Sequence, residues 1–146
     1  MKAVPLNRGR TFELVIERGE NPCDVLVQVG AAYELGASRF TGFGGFAHVT
    51  LGYFDRMGHD FRKVRIESQV EVLSLIGDIA VRDGEHAVRI NCVLGLRDGT
   101  TRGGRVLDAS VLPTLEVIVT EWPEYVRWPF DARSGRQEAG ARTRKP

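Results

Sequence analysis

Residues 70–99 read VEVLSLIGDIAVRDGEHAVRINCVLGLRDG, and this stretch decides the fold. Val70 to Val81 is a long, nearly continuous apolar run, with a bend expected at Gly77. Asp83-Gly84 follows, a dipeptide suited to the positive backbone dihedrals of a tight hairpin turn. Ala87 to Leu96 is a second apolar run, closed by another turn at Asp98-Gly99. Strands joined by such short turns must lie antiparallel, because a parallel crossover needs a dozen or more residues.

Working outward, the same pattern continues on both sides. Downstream, Gly104 to Ser110 and Thr114 to Thr120 read as strands with Pro113 between them. Upstream, Phe61 to Glu67 and Phe46 to Asp55 are β-rich, and Ser38 to Phe43 is a short strand ending in a loop or bulge at Gly44-Gly45. Thr11 to Glu17 alternates, with Phe12, Leu14 and Ile16 on one face. A single helix interrupts the series. Asn21 is placed to cap it, Pro22 to open it, and Asp24 to sit at the positive end of its dipole. Val25, Leu26, Val29, Ala32 and Tyr33 carry the period to about Leu35, with Gly36 as the expected terminator. The expectation is one α+β domain over residues 1–130, mainly an antiparallel sheet with the N-terminal helix packed on it.

Composition bounds the function. The chain has 146 residues, 27% of them charged, with 20 Lys and Arg against 19 Asp and Glu. A net charge of +1 weakens any claim of a strongly basic nucleic-acid binder. The charge is uneven, however. Residues 131–146 (DARSGRQEAGARTRKP) hold five basic and two acidic residues and have no aliphatic side chain larger than alanine. They read as a solvated, disordered basic tail. Arginine outnumbers lysine by 17 to 3, which base composition explains as readily as phosphate recognition. No apolar run is long enough to span a membrane, and the N-terminus lacks an apolar signal core, so a cytoplasmic address is expected.

Enzyme motifs are sparse. The sequence contains neither a nucleophile elbow nor a phosphate-binding loop, and His48, His59 and His86 lie in separate segments. Cys23 and Cys92 read as small buried hydrophobes. Glu71 and Glu116 interrupt apolar strands in which both faces look buried, so each is a candidate for a buried acid. A structural ion pair or backbone hydrogen bond is the favoured alternative to a functional role.

The order of segments resembles a known family. Gly9-Arg10-Thr11-Phe12-Glu13-Leu14 is followed by Arg18-Gly19-Glu20, Ser38-Arg39-Phe40-Thr41-Gly42-Phe43-Gly44 and Leu51-Gly52-Tyr53-Phe54-Asp55. Then come Glu71 to Ala80, Leu94-Gly95, Asp98-Gly99, Gly103-Gly104 and Pro113-Thr114-Leu115-Glu116-Val117. Over about residues 8–128 this resembles the plants-and-prokaryotes-conserved (PPC) domain. The resemblance implies a homotrimer and a regulatory, non-enzymatic protein associated with DNA. In plant members AT-hooks grip DNA, but here Thr11 follows Arg8-Gly9-Arg10 where a hook has proline. Many prokaryotic members carry a His-x-His pair and a further histidine that suggest a metal site. At those positions this chain has Arg89, Asn91 and Arg105. No metal and no cofactor is therefore expected. The alternative expectation is a pocket for a small anionic ligand, in a binding protein or metal-independent enzyme, with Arg89, Asn91 and Arg105 as its donors and Glu71 nearby. Equally, both arginines could pair with Glu71 or Glu116 at a subunit interface. A third reading is an interaction module that contacts other proteins through the strand Val70 to Gly77.

Overall fold

The computed structural model describes residues 9–123 and, beyond them, the short stretches 126–127, 130–131, 136–137 and 140–141. It is a mainly antiparallel β-sheet with one short helix. The elements are β1 (Thr11–Glu17), α1 (Pro22–Ala32), β2 (Ala37–Asp55), β3 (Asp60–Ile66), β4 (Val70–Arg82), β5 (Glu85–Gly95) and β6 (Thr101–Glu121). Four two-residue strands, β7 (Val126–Arg127), β8 (Phe130–Asp131), β9 (Arg136–Gln137) and β10 (Gly140–Ala141), pair as β7 with β10 and β8 with β9. Apart from these pairs, the expected basic tail lies outside the described residues.

The Asp83-Gly84 turn forms as expected. Asp83 has φ 51 and Gly84 φ 83, the two positive values of the tightest hairpin turn. It pairs Arg82 with Glu85 and carries the register back to Glu71 opposite Gly95.

Two expected breaks do not occur. The segments on either side of Gly44-Gly45 form one 19-residue strand, β2, and those on either side of Pro113 form one 21-residue strand, β6. Both breaks become bulges in the same ladder. Gly44 pairs with Leu115 and Phe46 with Val111, so one residue of β2 faces three of β6. Proline cannot donate to a ladder, and a bulge is where a strand tolerates it. Gly44 has φ 151, and a β-carbon there would lie 2.2 Å from the carbonyl oxygen of Thr114.

The long strands close the sheet. One edge of β2 runs along β6 from Ser38–Glu121 to Gly52–Arg105, and the other meets β4 and then β3. β6 meets β1 through Thr114–Thr120 and β5 through Thr101–Arg105. Strands β2, β4, β5 and β6 thus form a ring, with β1 and β3 as flanking strands. Phe46, Val49, Leu94, Val111, Leu115 and Val117 are fully buried within it. Gly77 admits a close approach, because a β-carbon there would lie 2.2 Å from both the Arg89 carbonyl oxygen and the Phe40 ring.

Helix α1 buries Pro22, Leu26 and Gly30, four residues apart on one stripe, and Gly30 lies against His86 and Ile79. Asn21 caps it as expected, accepting a hydrogen bond from the Cys23 N–H at 2.9 Å, and its amide donates to Asp108 of β6 at 3.0 Å. The helix stops earlier than expected. Glu34, not Gly36, takes the left-handed conformation (φ 52), and the Leu35 N–H donates to the Gly30 carbonyl at 2.9 Å. Three partners pin this end. Arg10 donates to the Tyr33 carbonyl, the His86 ring bonds the Leu35 carbonyl, and Phe12 packs on Tyr33. Among the described residues no helix is long and apolar enough to cross a membrane.

Candidate functional site

The register of three strands assembles the site. Asp78 of β4 faces Arg89 of β5, Ile76 faces Asn91, and Asn91 faces Arg105 of β6. Directly opposed residues share a face of a sheet, so Asp78, Arg89, Asn91 and Arg105 lie on one side. Arg89 grips Asp78 with two parallel bonds, Nε to Oδ1 at 2.9 Å and Nη2 to Oδ2 at 3.0 Å. Asp78 is 4% exposed, and it and Ser38 are the buried polar residues of the core. A buried carboxylate needs such a partner, and the planar guanidinium fork satisfies both of its oxygens at once.

Arg105 is half-buried beside this pair. Burial lowers its pKa and the neighbouring Arg89 charge lowers it further, while Asp78 and Cys23 act in the opposite sense. A guanidinium starts so high that it stays charged. Cys23 reaches this neighbourhood from the first turn of α1. Its thiol is pushed up to about 11, first by burial and then by Asp24 and Asp108, while Arg105 pulls it down. Burial pushes Cys92 up to about 12. Both thiols are therefore protonated near neutrality, the state of a packing residue rather than a nucleophile.

Four of the expected residues are placed as follows. Arg89, Asn91 and Arg105 come together. Glu71 does not join them. It stands opposite Gly95 and Gly45, seven residues along β4 from Asp78, or about 23 Å at the rise of a strand. Glu71 and Glu116 are also exposed rather than buried. The two apolar faces of the strand were the source of that expectation. Val70, Val72 and Leu75 do enter the core, but Leu73 and Ile76 on the outer face are each 53% exposed. Arg89 pairs with Asp78 rather than with either glutamate. The signal was present in the sequence, because a two-residue turn at 83–84 places 82 opposite 85 and hence 78 opposite 89.

The site does not fit a metal. Arginine has no lone pair to give, and both oxygens of Asp78 are taken by Arg89. Among the described residues no group of three or more His, Cys, Asp and Glu side chains could hold a metal ion. Arg10 of the Arg-Gly-Arg triplet is engaged within the domain. It bonds both oxygens of Glu121, at 2.7 and 2.9 Å, and lies 5.5 Å from the Phe12 ring.

Comparison with solved structures gives the same fold. A plant- and prokaryote-conserved protein from Pyrococcus horikoshii superposes with a TM-score of 0.84 at 21% identity, covering 98% of this chain and 99% of that one. A metal-containing protein from Archaeoglobus fulgidus gives 0.81 at 24% identity, covering 95% and 99%. A candidate DNA-binding protein from Ralstonia eutropha JMP134 gives 0.81 at 21% identity, covering 89% and 90%. No curated protein matches by sequence. The model of the Plants and Prokaryotes Conserved (PCC) domain matches residues 5–123, and the chain belongs to that family.

Proposed function

We propose that the chain is a non-catalytic regulatory protein that assembles with copies of itself, as a homotrimer, and associates with DNA. The observation that carries self-assembly is the outer face of the sheet. Val15, Phe43, Leu73, Ile76, Val93 and Ile118 are each between 43% and 58% exposed, on five strands that lie side by side. Single exposed apolar residues are ordinary, whereas a set spread across one sheet face marks an interaction surface. Association with DNA is supported by the description of the Ralstonia eutropha structure. Residues 9–123 hold 12 basic and 16 acidic side chains, a net of −4, so contact with DNA has to be local rather than spread over the domain.

Sedimentation equilibrium tests the assembly. The expected mass is three times the 16.2 kDa of one chain. Leu73→Asp with Ile76→Asp should give a folded monomer. A monomeric wild-type chain at tens of micromolar refutes the assembly.

The second reading is a small-anion site at Arg89, Asn91 and Arg105. It is favoured by the register that brings the Arg89 and Arg105 guanidiniums and the Asn91 amide to one face of the sheet. A panel of carboxylate and phosphate compounds should then raise the melting temperature of the wild type and leave that of Arg105→Ala unchanged.

A further inference from the structure

The turn joining β2 to β3 is not part of the ring. The ladder between β2 and β6 ends at Gly52–Arg105, and that between β2 and β4 ends at Phe46–Val70. Past Gly52 the pairs Tyr53–Arg62, Phe54–Phe61 and Asp55–Asp60 have no third strand beside them. Residues 53–62 therefore form a two-stranded ribbon standing about 10 Å clear of the sheet, before its turn is counted.

Its composition differs from that of the body. The ribbon together with the rest of β3, residues 53–66, holds Arg56, Arg62, Lys63 and Arg65 against Asp55 and Asp60, a net of +2. The remainder of residues 9–123 has eight basic and 14 acidic residues, a net of −6. Arg65 is paired with Glu67. Arg56, Arg62 and Lys63 are exposed. Tyr53 and Met57 are 72% and 93% exposed. Asp55 is turned inward, accepting the Met57 N–H at 2.9 Å and the Gly58 N–H at 3.4 Å.

We infer that this ribbon is the arm through which the domain contacts duplex DNA. The inference rests on the DNA-association reading and names its surface. A two-stranded ribbon has the width that a major groove admits. The cations are arranged for groove walls, not for a flat surface. Arg62 and Lys63 are neighbours on one strand, so they project to opposite faces of the ribbon, while acids flank the turn at its tip. A flat anionic membrane would meet the cations of one face only. The negative body repels the polyanion elsewhere and confines contact to the arm.

The test is fluorescence anisotropy of a labelled 20-base-pair duplex, titrated with full-length chain from 50 to 200 mM salt. Arg56→Ser/Arg62→Ser/Lys63→Ser removes three phosphate contacts. It should reduce the slope of log affinity against log salt by about 2.7, which is about 40-fold over that range. Arg18→Ser/Arg97→Ser/Arg102→Ser makes the same change in net charge off the arm and should leave the slope unchanged. Circular dichroism and a thermal melt confirm that both variants are folded. If the wild type binds and the arm variant binds with the same slope, the arm is refuted and DNA association stands. The same holds if Arg142→Ser/Arg144→Ser/Lys145→Ser alone abolishes binding. If the wild type does not bind the duplex at 50 mM salt, both readings fall. If equimolar phosphatidylglycerol–phosphatidylcholine vesicles capture the chain through the arm and the duplex does not, the partner is a membrane and the inference is overturned.

Discussion

Replacing Asp78 by alanine tests the ion pair at the centre of the site. The pair is buried on one side only. Asp78's side chain is 5% exposed and that of Arg89 32%. Breaking a fully buried pair costs about 3–5 kcal/mol, because the surviving charge is stranded. Arg89 is close enough to the surface to recover part of its hydration, so the cost falls below that range, at roughly 2–3 kcal/mol. For a domain of this size that lowers the melting temperature by roughly 8–12 °C. Arg89→Met should cost a similar amount, since it strands the Asp78 carboxylate at a more buried position. The double variant should cost less than the sum of the two single changes. Equilibrium urea unfolding of all four proteins gives the coupling energy directly, with an expected value of at least about 1.5 kcal/mol. A coupling near zero would refute the reasoning, because the two side chains would then contribute independently of the bonds between them. A denaturant slope that changed in one variant would identify an altered denatured state as the cause.

Two further outcomes are expected. Gly77→Ala forces a β-carbon to 2.2 Å from the Arg89 carbonyl and the Phe40 ring, and should destabilise by about 2 kcal/mol or more in urea, whereas Gly84→Asn, with open space around it but a positive φ of 83, should cost less, about 1 kcal/mol. Hydrogen bonding from Arg10 lowers the pKa of Glu121 below its usual value. The stabilisation is therefore present above the unfolded carboxylate pKa and is lost as pH falls through the lower folded one. In Arg10→Met the loss of melting temperature between pH 5 and 3 should be shallower than in the wild type, and an unchanged acid limb would show that the pair does not contribute.

What the sequence disclosed follows the range of the forces involved. Local chemistry was legible. The Asp83-Gly84 turn, the Asn21 cap and the alternation of Thr11–Glu17 are each set by a few neighbouring residues. Closure of the sheet was not, because the ladders of β6 with β1 and β2 join residues up to about a hundred apart, and no local pattern encodes their meeting. Gly44-Gly45 and Pro113 looked like ends of strands when read alone. They are the two sides of one bulged ladder, visible only when β2 and β6 lie together. Glu71 was misjudged because apolar content was taken to mean burial, whereas the outer face carries Leu73 and Ile76 to the surface. Arg105 was grouped correctly with Asn91, but its closeness to Cys23 depends on how α1 docks on the sheet.

The order in which the strands are made has a consequence for synthesis. Among the described strands β1 is made first, and its sheet partner is Thr114–Thr120 of β6. The full length of β2 likewise waits for β6. Until then the nascent chain holds β1 and one flank of β2 as open strand edges, the features most prone to pair with another chain. A polypeptide that stops short of residue 114 would lack the segment that pairs with β1 and with Ser38–Gly44 of β2, and would leave both edges open. Cells making such fragments would therefore meet an aggregation hazard rather than a half-working protein.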